Sequence, residues 1–315
     1  MRVLVTGGAG FIGSNLAGAL LRDERVEKVR VMDNLSTGFK ANIEPYLNDP
    51  RFEFMEADIR DLGSCMKACE GMDVISHQAA LGSVPRSIDD PITTNNVNIT
   101  GTLQIFTAAH KQGIKRIVYA ASSSTYGDHP GLPKVEDKIG RPLSPYAITK
   151  YVNELYAQVY ADLFGMEPIG LRYFNIFGPR QNPLGAYAAV IPLFAQALID
   201  NKPPKINGDG HHSRDFTYVD NAVQANILAL FTQNKEAVNQ VYNIACGQQT
   251  SLNELFRHLR SQAGTDLEPV HGPERKGDVK HSLADISKAK RLLGYEVKVG
   301  VEEGLRRTFE WYKKG

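Results

Sequence analysis

Tyr146 and Lys150 stand four residues apart in the segment Pro145-Tyr146-Ala147-Ile148-Thr149-Lys150, which reads as the opening of a helix. The i, i+4 spacing puts both side chains on one helical face. A free phenol titrates near about pH 10, too high for a base at neutrality. A neighbouring ammonium, together with the positive ring of a bound cofactor, favours the phenolate and is expected to lower that value. A phenol lowered in this way can take a proton from a substrate hydroxyl while hydride leaves the same carbon. Tyr151 and Tyr156 on the same stretch have no lysine at that spacing and read as packing residues. Ser122-Ser123-Ser124 follows the predicted strand Arg116–Ala121. A hydroxyl there can pass a proton between Tyr146 and substrate. Without Tyr146 and Lys150 the same serines would read as a loop capping its own backbone.

A second constellation opens the chain. In Val5-Thr6-Gly7-Gly8-Ala9-Gly10-Phe11-Ile12-Gly13, Gly8, Gly10 and Gly13 fit G-x-G-x-x-G, and Gly7, Gly10 and Gly13 fit G-x-x-G-x-x-G. Such a pattern informs only in context, and here it follows a strand and opens a helix. Glycine lets backbone N–H groups approach a pyrophosphate, and the helix N-terminus adds partial positive charge. Asp33 closes the second strand. Its carboxylate can accept from an adenine ribose diol and would repel a 2′-phosphate, which favours NAD over NADP.

The elements that must position these groups are legible as a rhythm. Strands are predicted at Val3–Thr6, Lys28–Asp33, Phe52–Glu56, Val74–His77, Arg116–Ala121 and Pro168–Arg172, with helical patterns at Ile12–Arg22, Asp61–Cys69, Asn96–Gln112 and Tyr146–Phe164. That alternation predicts an α/β fold, a Rossmann-type doubly wound parallel sheet covered on both faces. Its carboxyl edge is where ligands bind. After Asn175 the rhythm breaks, with Gly, Pro and Asn clustered at 178–185 and 201–210. Helices at Asn221–Phe231, Leu252–Ser261, Ser287–Leu293 and Gly300–Trp311 and a strand near Val241–Ala245 follow. The expected division is a cofactor-binding domain over 1–175 and a smaller mixed α/β substrate-binding region over 176–315, with some segments returning to the main sheet.

Composition narrows the partners. The 36 basic and 35 acidic residues nearly cancel, so no overall field attracts nucleic acid or an acidic membrane surface, and an anionic ligand needs local groups. No apolar run approaches the roughly 20 residues that span a bilayer. The cysteines Cys65, Cys69 and Cys246 have neither disulfide nor zinc spacing and read as buried thiols. No metal is expected, and a cytoplasmic location is.

With these motifs together the sequence resembles the extended short-chain dehydrogenase/reductase family through nearly its whole length. The match includes Thr6–Gly13, Asp33, Asp58-Ile59, His77-Gln78-Ala79-Ala80, Asn98, Ser122–Gly127, Tyr146–Lys150 and Leu171–Asn175. Within that family it looks most like the bacterial UDP-N-acetylglucosamine 4-epimerases of polysaccharide synthesis, through Ser122–Asp128, Gly185–Pro192 and Gly277–Asp285. The resemblance implies that Gly7, Gly10, Phe11, Ile12 and Gly13 contact the NAD pyrophosphate. It places Asn34, Ser36 and Gly38 at the adenosine end and Asp58 and Ile59 beside adenine. Gln78, Ala79 and Ala80 run along the cofactor, with Tyr173 near the nicotinamide and Lys150 on its ribose. His77 is expected to be structural. For substrate the implied positions are Ser83, Ser122, Ser123, Ser124, Tyr146, Asn175, Gln181, Ala189, Val190, Ile206, Asn207, Arg214, Arg275, Asp278 and Ser282. Arg214 and Arg275 suit a diphosphate, since guanidinium forks match phosphate oxygens. Asp278 can accept from a uridine ribose hydroxyl. Ser282 matches a position bordering the C2 substituent of the hexose, where a small residue admits an acetamido group. A homodimer through Asn96–Gln112 and Tyr146–Phe164 is a further implication.

Ala121 departs from relatives that carry serine or threonine there. Counting back from Tyr126 places the relay hydroxyl at Ser122, with Ser124 as its substitute. Dehydratases and decarboxylases of the family carry an acidic residue in the serine segment, and Ser122-Ser123-Ser124-Thr125 has none. A 4-epimerase of the uronic acid form remains an alternative, with Arg86 or Lys205 available to a C6 carboxylate, as does one of UDP-glucose and UDP-galactose. From another class, a non-catalytic NAD-binding regulator is disfavoured by the retention of Tyr146, Lys150 and Ser122.

Overall fold

The computed structural model describes residues 1–184, 188–274 and 280–314. All six strands expected in the amino-terminal half form: β1 (Arg2–Thr6), β2 (Lys28–Asp33), β3 (Phe52–Glu56), β4 (Val74–His77), β5 (Arg116–Ser122) and β6 (Glu167–Tyr173). A seventh, β7 (Gln240–Ile244), comes from the carboxyl-terminal half and pairs with β6. The order is β7-β6-β5-β4-β1-β2-β3, with every neighbouring pair parallel. The chain winds outward from β1 to β3 and then from β4 to β7, so the strand order reverses between β1 and β4. A crevice outside the carboxyl ends at such a reversal is where a ligand fits.

The strands alternate between two apolar clusters, as a sheet covered on both faces requires. Val3, Val5, Val29, Val31 and Val118 point into one; Leu4, Met32, Ile117, Tyr119 and Ala121 point into the other. The first face is covered by α1 (Phe11–Leu21), through Leu16 and Leu20, and by a carboxyl-terminal helix, Val219–Phe231, through Ala222 and Ala229. The second is covered by α2 (Leu62–Cys69), α3 (Thr102–Lys111) and α4 (Pro145–Phe164). The three cysteines are buried free thiols, and burial pushes each up to about 12.

One helical expectation needs correction, and one helix is additional to those expected. The stretch Asn96–Gln112 is not one α-helix: residues Asn96–Gly101 form a wider π-helical turn before α3 begins. Asn98, inside that turn, is fully buried and bonds outward, accepting from Leu81 N–H at 2.8 Å and donating to Thr149 Oγ1 at 3.1 Å. Gly101 packs so closely on Ile59 that a Cβ would lie 2.6 Å from its Cδ1. The additional helix is α5 (Val190–Ile199), which the sequence hides behind Pro192. That proline falls in the first turn, where its missing N–H has no intrahelical partner to lose.

The carboxyl-terminal half adds α6 (Val219–Phe231, introduced above), α7 (Leu252–Ala263), α8 (Ser287–Leu293) and α9 (Val301–Lys313). Short strand pairs link Lys205–Asn207 to Val270–Gly272 and Ser213–Arg214 to Thr250–Ser251.

Candidate active site

The candidate residues collect at one sheet edge because parallel register aligns the strand ends. Thr6 is level with Met32 and His77, and Ser122 with Tyr173. Above that edge lies a cavity of about 550 Å³. A smaller one of about 170 Å³ is walled by the carboxyl-terminal half, and Asn175 lines both.

The glycine turn is built for close approach. Gly7 has φ +68°, and a Cβ there would sit 2.6 Å from the Ala79 nitrogen; one on Gly13 would sit 2.2 Å from the Gly7 oxygen. Gly10 precedes α1 with no side-chain cap, and the first turn carries no acidic residue. Its N–H groups therefore point at the cavity without a protein anion. Asp33 accepts from Ala9 N–H at 2.9 Å and Leu35 N–H at 2.8 Å, and burial raises its pKa. With the Gly10 N–H also directed at this carboxylate, it keeps acceptor capacity for a ribose hydroxyl. At the same end Asn34 donates to Asp58 at 2.8 Å, and the Arg60 guanidinium holds Asp58 at about 2. A cradle that side chains would fill, an uncapped helix and a diol acceptor fit a dinucleotide.

At the other end, α4 brings Tyr146 and Lys150 to the cavity floor. Ser144 starts that helix by accepting from Ala147 N–H at 3.1 Å, with Pro145 in its first position. Ser122 Oγ accepts from both Ser124 N–H, at 3.1 Å, and Ser124 Oγ–H, at 2.9 Å. A hydroxyl has two lone pairs and one proton, so Ser122 is left with its proton to give. The expected lowering of the Tyr146 phenol by Lys150 is not what the protein groups produce. Burial raises it, opposed by a hydrogen bond with Ser122. Lys150 donates to the Ala120 carbonyl at 2.8 Å and lies 6.0 Å from the centre of the Tyr146 ring. Burial also draws the Lys150 ammonium down to about 8, with Glu154 pulling the other way. His77 is structural, as expected: it sits between Thr6 Oγ1 at 2.7 Å and Thr102 Oγ1 at 2.9 Å, and burial lowers it to about 3.

Of the positions implied for cofactor, Gly7, Gly10, Phe11, Ile12, Gly13, Asp33, Asn34, Ser36, Asp58, Ile59, Gln78, Ala79, Ala80, Tyr146, Lys150 and Tyr173 all line the larger cavity. Gly38 does not; it packs on Ala9, where a Cβ would come within 2.9 Å of the carbonyl carbon. Ser122, Ser123 and Asn175 line the larger cavity, while Asn175, Val190, Ile206, Asn207 and Arg214 line the smaller. Ser83, Ser124, Gln181, Ala189 and Ser282 line neither. Ser83 caps the helix Val84–Asp89 by accepting from Arg86 N–H, and Ser124 stands behind Ser122. Gln181 donates to the Ile176 carbonyl at 3.3 Å, and Ala189 precedes α5. Ser282 donates its N–H to the Ser213 carbonyl at 3.1 Å, beside Arg214. Arg275 and Asp278 lie outside the described residues.

Several participants had no sequence signal. Tyr173 is fixed by Gln78, 3.0 Å from its hydroxyl, and by Asn226, which donates to it at 2.7 Å. Gln78 in turn donates to Ser76 and to Asn226, each at 2.9 Å. Asp215 receives N–H groups from Cys246, Gly247 and Ala284, pinning the strand of Arg214 to the exit of β7. Arg180 and Asn182 line the larger cavity, and His212 and Phe216 line the smaller beside Lys205, the residue the sequence offered to a C6 carboxylate.

The chain is similar to known proteins along its length. Over 313 residues the chain is 39% identical to a protein of Methanocaldococcus jannaschii described as a putative UDP-glucose 4-epimerase, covering 99% of this chain and 98% of that protein. A UDP-glucose 4-epimerase of Thermotoga maritima, solved with UDP-glucose, superposes with a TM-score of 0.93 at 38% identity, over 100% of this chain and 99% of that one. A UDP-N-acetylglucosamine 4-epimerase of Methanobrevibacter ruminantium, solved with UDP-N-acetylmuramic acid, gives the same TM-score and identity over 99% and 98% of the two chains. Residues 3–245, which span the glycine turn, Tyr146 and Lys150, and β7, match the NAD dependent epimerase/dehydratase family, and to that family the chain belongs.

Proposed function

We propose that this chain is a UDP-N-acetylglucosamine 4-epimerase, an isomerase that interconverts the gluco and galacto forms of a UDP-linked N-acetylhexosamine. Residues 1–175 hold the cofactor and 176–315 the sugar nucleotide. Bound NAD supplies reversible oxidation at C4. Tyr146 takes the proton of the C4 hydroxyl as the 4-keto sugar forms, and gives it back after the sugar has turned its other face. Ser122 donates a hydrogen bond to the oxygen that carries charge at each stage and keeps its proton. Lys150 supplies positive charge at the base of the site. Arg214 and its neighbours in the smaller cavity hold the nucleotide, so the hexose can turn about its diphosphate without leaving.

One observation carries this reading. Among the described lining residues of both cavities the carboxylates are Asp33 and Asp58, at the adenosine end. An isomerisation needs one acid–base group at C4, which Tyr146 provides. Dehydration calls for a second acid–base pair near C5 and C6, and the Ser122–Tyr146 end offers none. The family resemblance at the small Ser282, which pairs with the Arg214 strand and lines neither cavity, supports an acetamido substrate. Lys205 in the smaller cavity favours the uronic acid form as a second reading. Exposed Ile148, Leu155, Val159 and Leu163 along α4 support a homodimer.

The test is to incubate the purified protein with UDP-GlcNAc, without added NAD, and to follow the anomeric proton signals by NMR. Conversion to a mixture with UDP-GalNAc is expected. No change after NAD is supplied would reject this substrate, and turnover of UDP-glucose or of the N-acetylhexosaminuronic acid form would identify its replacement.

A further inference from the structure

Arg180 has the chemistry of an anion ligand and no role in the site derived above. It follows β6 in the loop that opens the carboxyl-terminal half, and it lines the larger cavity with Gly10, Phe11 and Ile12. Its backbone has φ +71°, a left-handed conformation uncommon for a residue with a Cβ, which surrounding contacts must hold. Those contacts are explicit. Nη1 donates to the Ser14 carbonyl and to the Tyr46 hydroxyl, each at 2.9 Å, and the guanidinium stacks on the Tyr46 ring at 5.4 Å from its centre. Asn15 donates to the Pro179 carbonyl at 3.0 Å, fastening the same loop to α1. Among the described residues Nη1 is the only nitrogen of Arg180 with a protein acceptor, so Nε and Nη2 keep donors in hand.

Charge at the cavity explains what those donors are for. Its described cationic side chains are Lys150, committed to the Ala120 carbonyl at the catalytic end, and Arg180. The uncapped start of α1 offers N–H groups and only a partial positive charge. We infer that Arg180 is a ligand of the cofactor diphosphate, anchored on α1 by one nitrogen and presenting its remaining donors to the phosphate oxygens. Because the loop leaving β6 also carries Asn175, which lines both cavities, the contact ties the half that holds the sugar nucleotide to the cofactor. In the proposed epimerase reading this serves retention, since NAD that leaves in mid-cycle strands a keto sugar. The diphosphate of the sugar nucleotide is the other source of such an anion. Arg180 lies with the glycine turn and Arg214 with the smaller cavity, so the cofactor is the ligand chosen.

The experiment measures affinities of NAD, ADP, adenosine and UDP for wild-type, Arg180→Met and Arg180→Lys proteins stripped of nucleotide, with NAD content after purification and melting temperature alongside. Arg180→Met is expected to weaken NAD and ADP about 10- to 100-fold, the range for a lost charge-assisted hydrogen bond, and to leave adenosine and UDP within about two-fold. Arg180→Lys keeps charge without the fork and falls between. Equal losses for adenosine and ADP would make the residue structural and overturn the inference. So would unchanged NAD affinity in either variant, or a loss confined to UDP. If the methionine variant does not fold, the lysine variant decides by the same comparison. None of these measurements requires turnover, so failure of the epimerase reading leaves them interpretable.

Discussion

Replacing Lys150 with methionine is expected to stabilise the nucleotide-free protein while abolishing turnover. Burial draws the Lys150 ammonium from its ordinary 10.5 to about 8, outweighing the attraction of Glu154. At about 1.36 kcal/mol for each pKa unit, the charged form is disfavoured by about 3 kcal/mol relative to the unfolded chain. Methionine has a similar stem and no charge to desolvate. It leaves the Ala120 carbonyl, which accepts from Nζ at 2.8 Å, without a donor. That orphan costs about 1–3 kcal/mol. The net gain near pH 7 is therefore up to about 2 kcal/mol, or up to about 4 °C in melting temperature. The sign follows from which state loses its proton first. Below about pH 8 the folded lysine is charged and the penalty is full. Between about 8 and 10.5 the folded form has shed a proton that the unfolded chain still holds, so wild-type stability climbs relative to the variant. Above 10.5 the penalty is gone and the stranded carbonyl leaves the variant the weaker of the two. Thermal melts of both stripped proteins at intervals from neutral pH to about pH 10.5 would show the gap shrink and reverse. A gap that does not move with pH would refute the desolvation argument.

Tyr146→Phe should eliminate turnover of UDP-GlcNAc and leave NAD bound; NMR for the first and nucleotide extraction for the second check it, and normal activity would sink the proposed base. Gly13→Ala places a Cβ 2.2 Å from the Gly7 oxygen and must push α1 off the glycine turn. NAD content should fall at least about ten-fold, whereas Gly300→Ala, where nothing lies within 4 Å, should leave it unchanged. Glu154→Gln breaks a buried bidentate pair with Arg172, at 2.7 and 2.9 Å, whose side chains are 7% and 4% exposed. Loss of about 3–5 kcal/mol in urea unfolding is expected, and a loss below about 1 kcal/mol would show that Arg172 finds another partner.

How much of this the sequence discloses depends on the range of the interaction. The strands of the sheet are legible because both faces are covered, which makes each a short apolar run between turn residues. The turn at Asn96–Gly101 is not, because apolar periodicity cannot tell a π-turn from an α-turn. What widens it is Asn98 reaching Leu81 and Thr149, a tertiary demand. Similarly, Pro192 looks like a break until its place in the first turn of α5 is known.

The site divides the same way. Gly7, Asp33, Ser122 and Tyr146 are legible since chemistry fixes their types and parallel strands fix their places. Asn226 and Arg180 are not, since nothing local marks an amide that meets Tyr173 or a guanidinium that meets α1. Spacing alone also misjudges the electrostatics. The interval from Tyr146 to Lys150 gives a favourable sign for the phenolate, but not its weight against burial, and burial wins in both residues. The protein by itself therefore keeps Tyr146 a phenol. The opposing push has to come from a positive ring brought alongside it, which is what oxidised nicotinamide carries. In the proposed epimerase, a base made competent only by the oxidised cofactor is matched to a reaction in which proton and hydride leave C4 together. Tyr146 and the cofactor cavity have to be read as one unit for that reason, and the helix that carries the tyrosine also lines the cavity through Lys150.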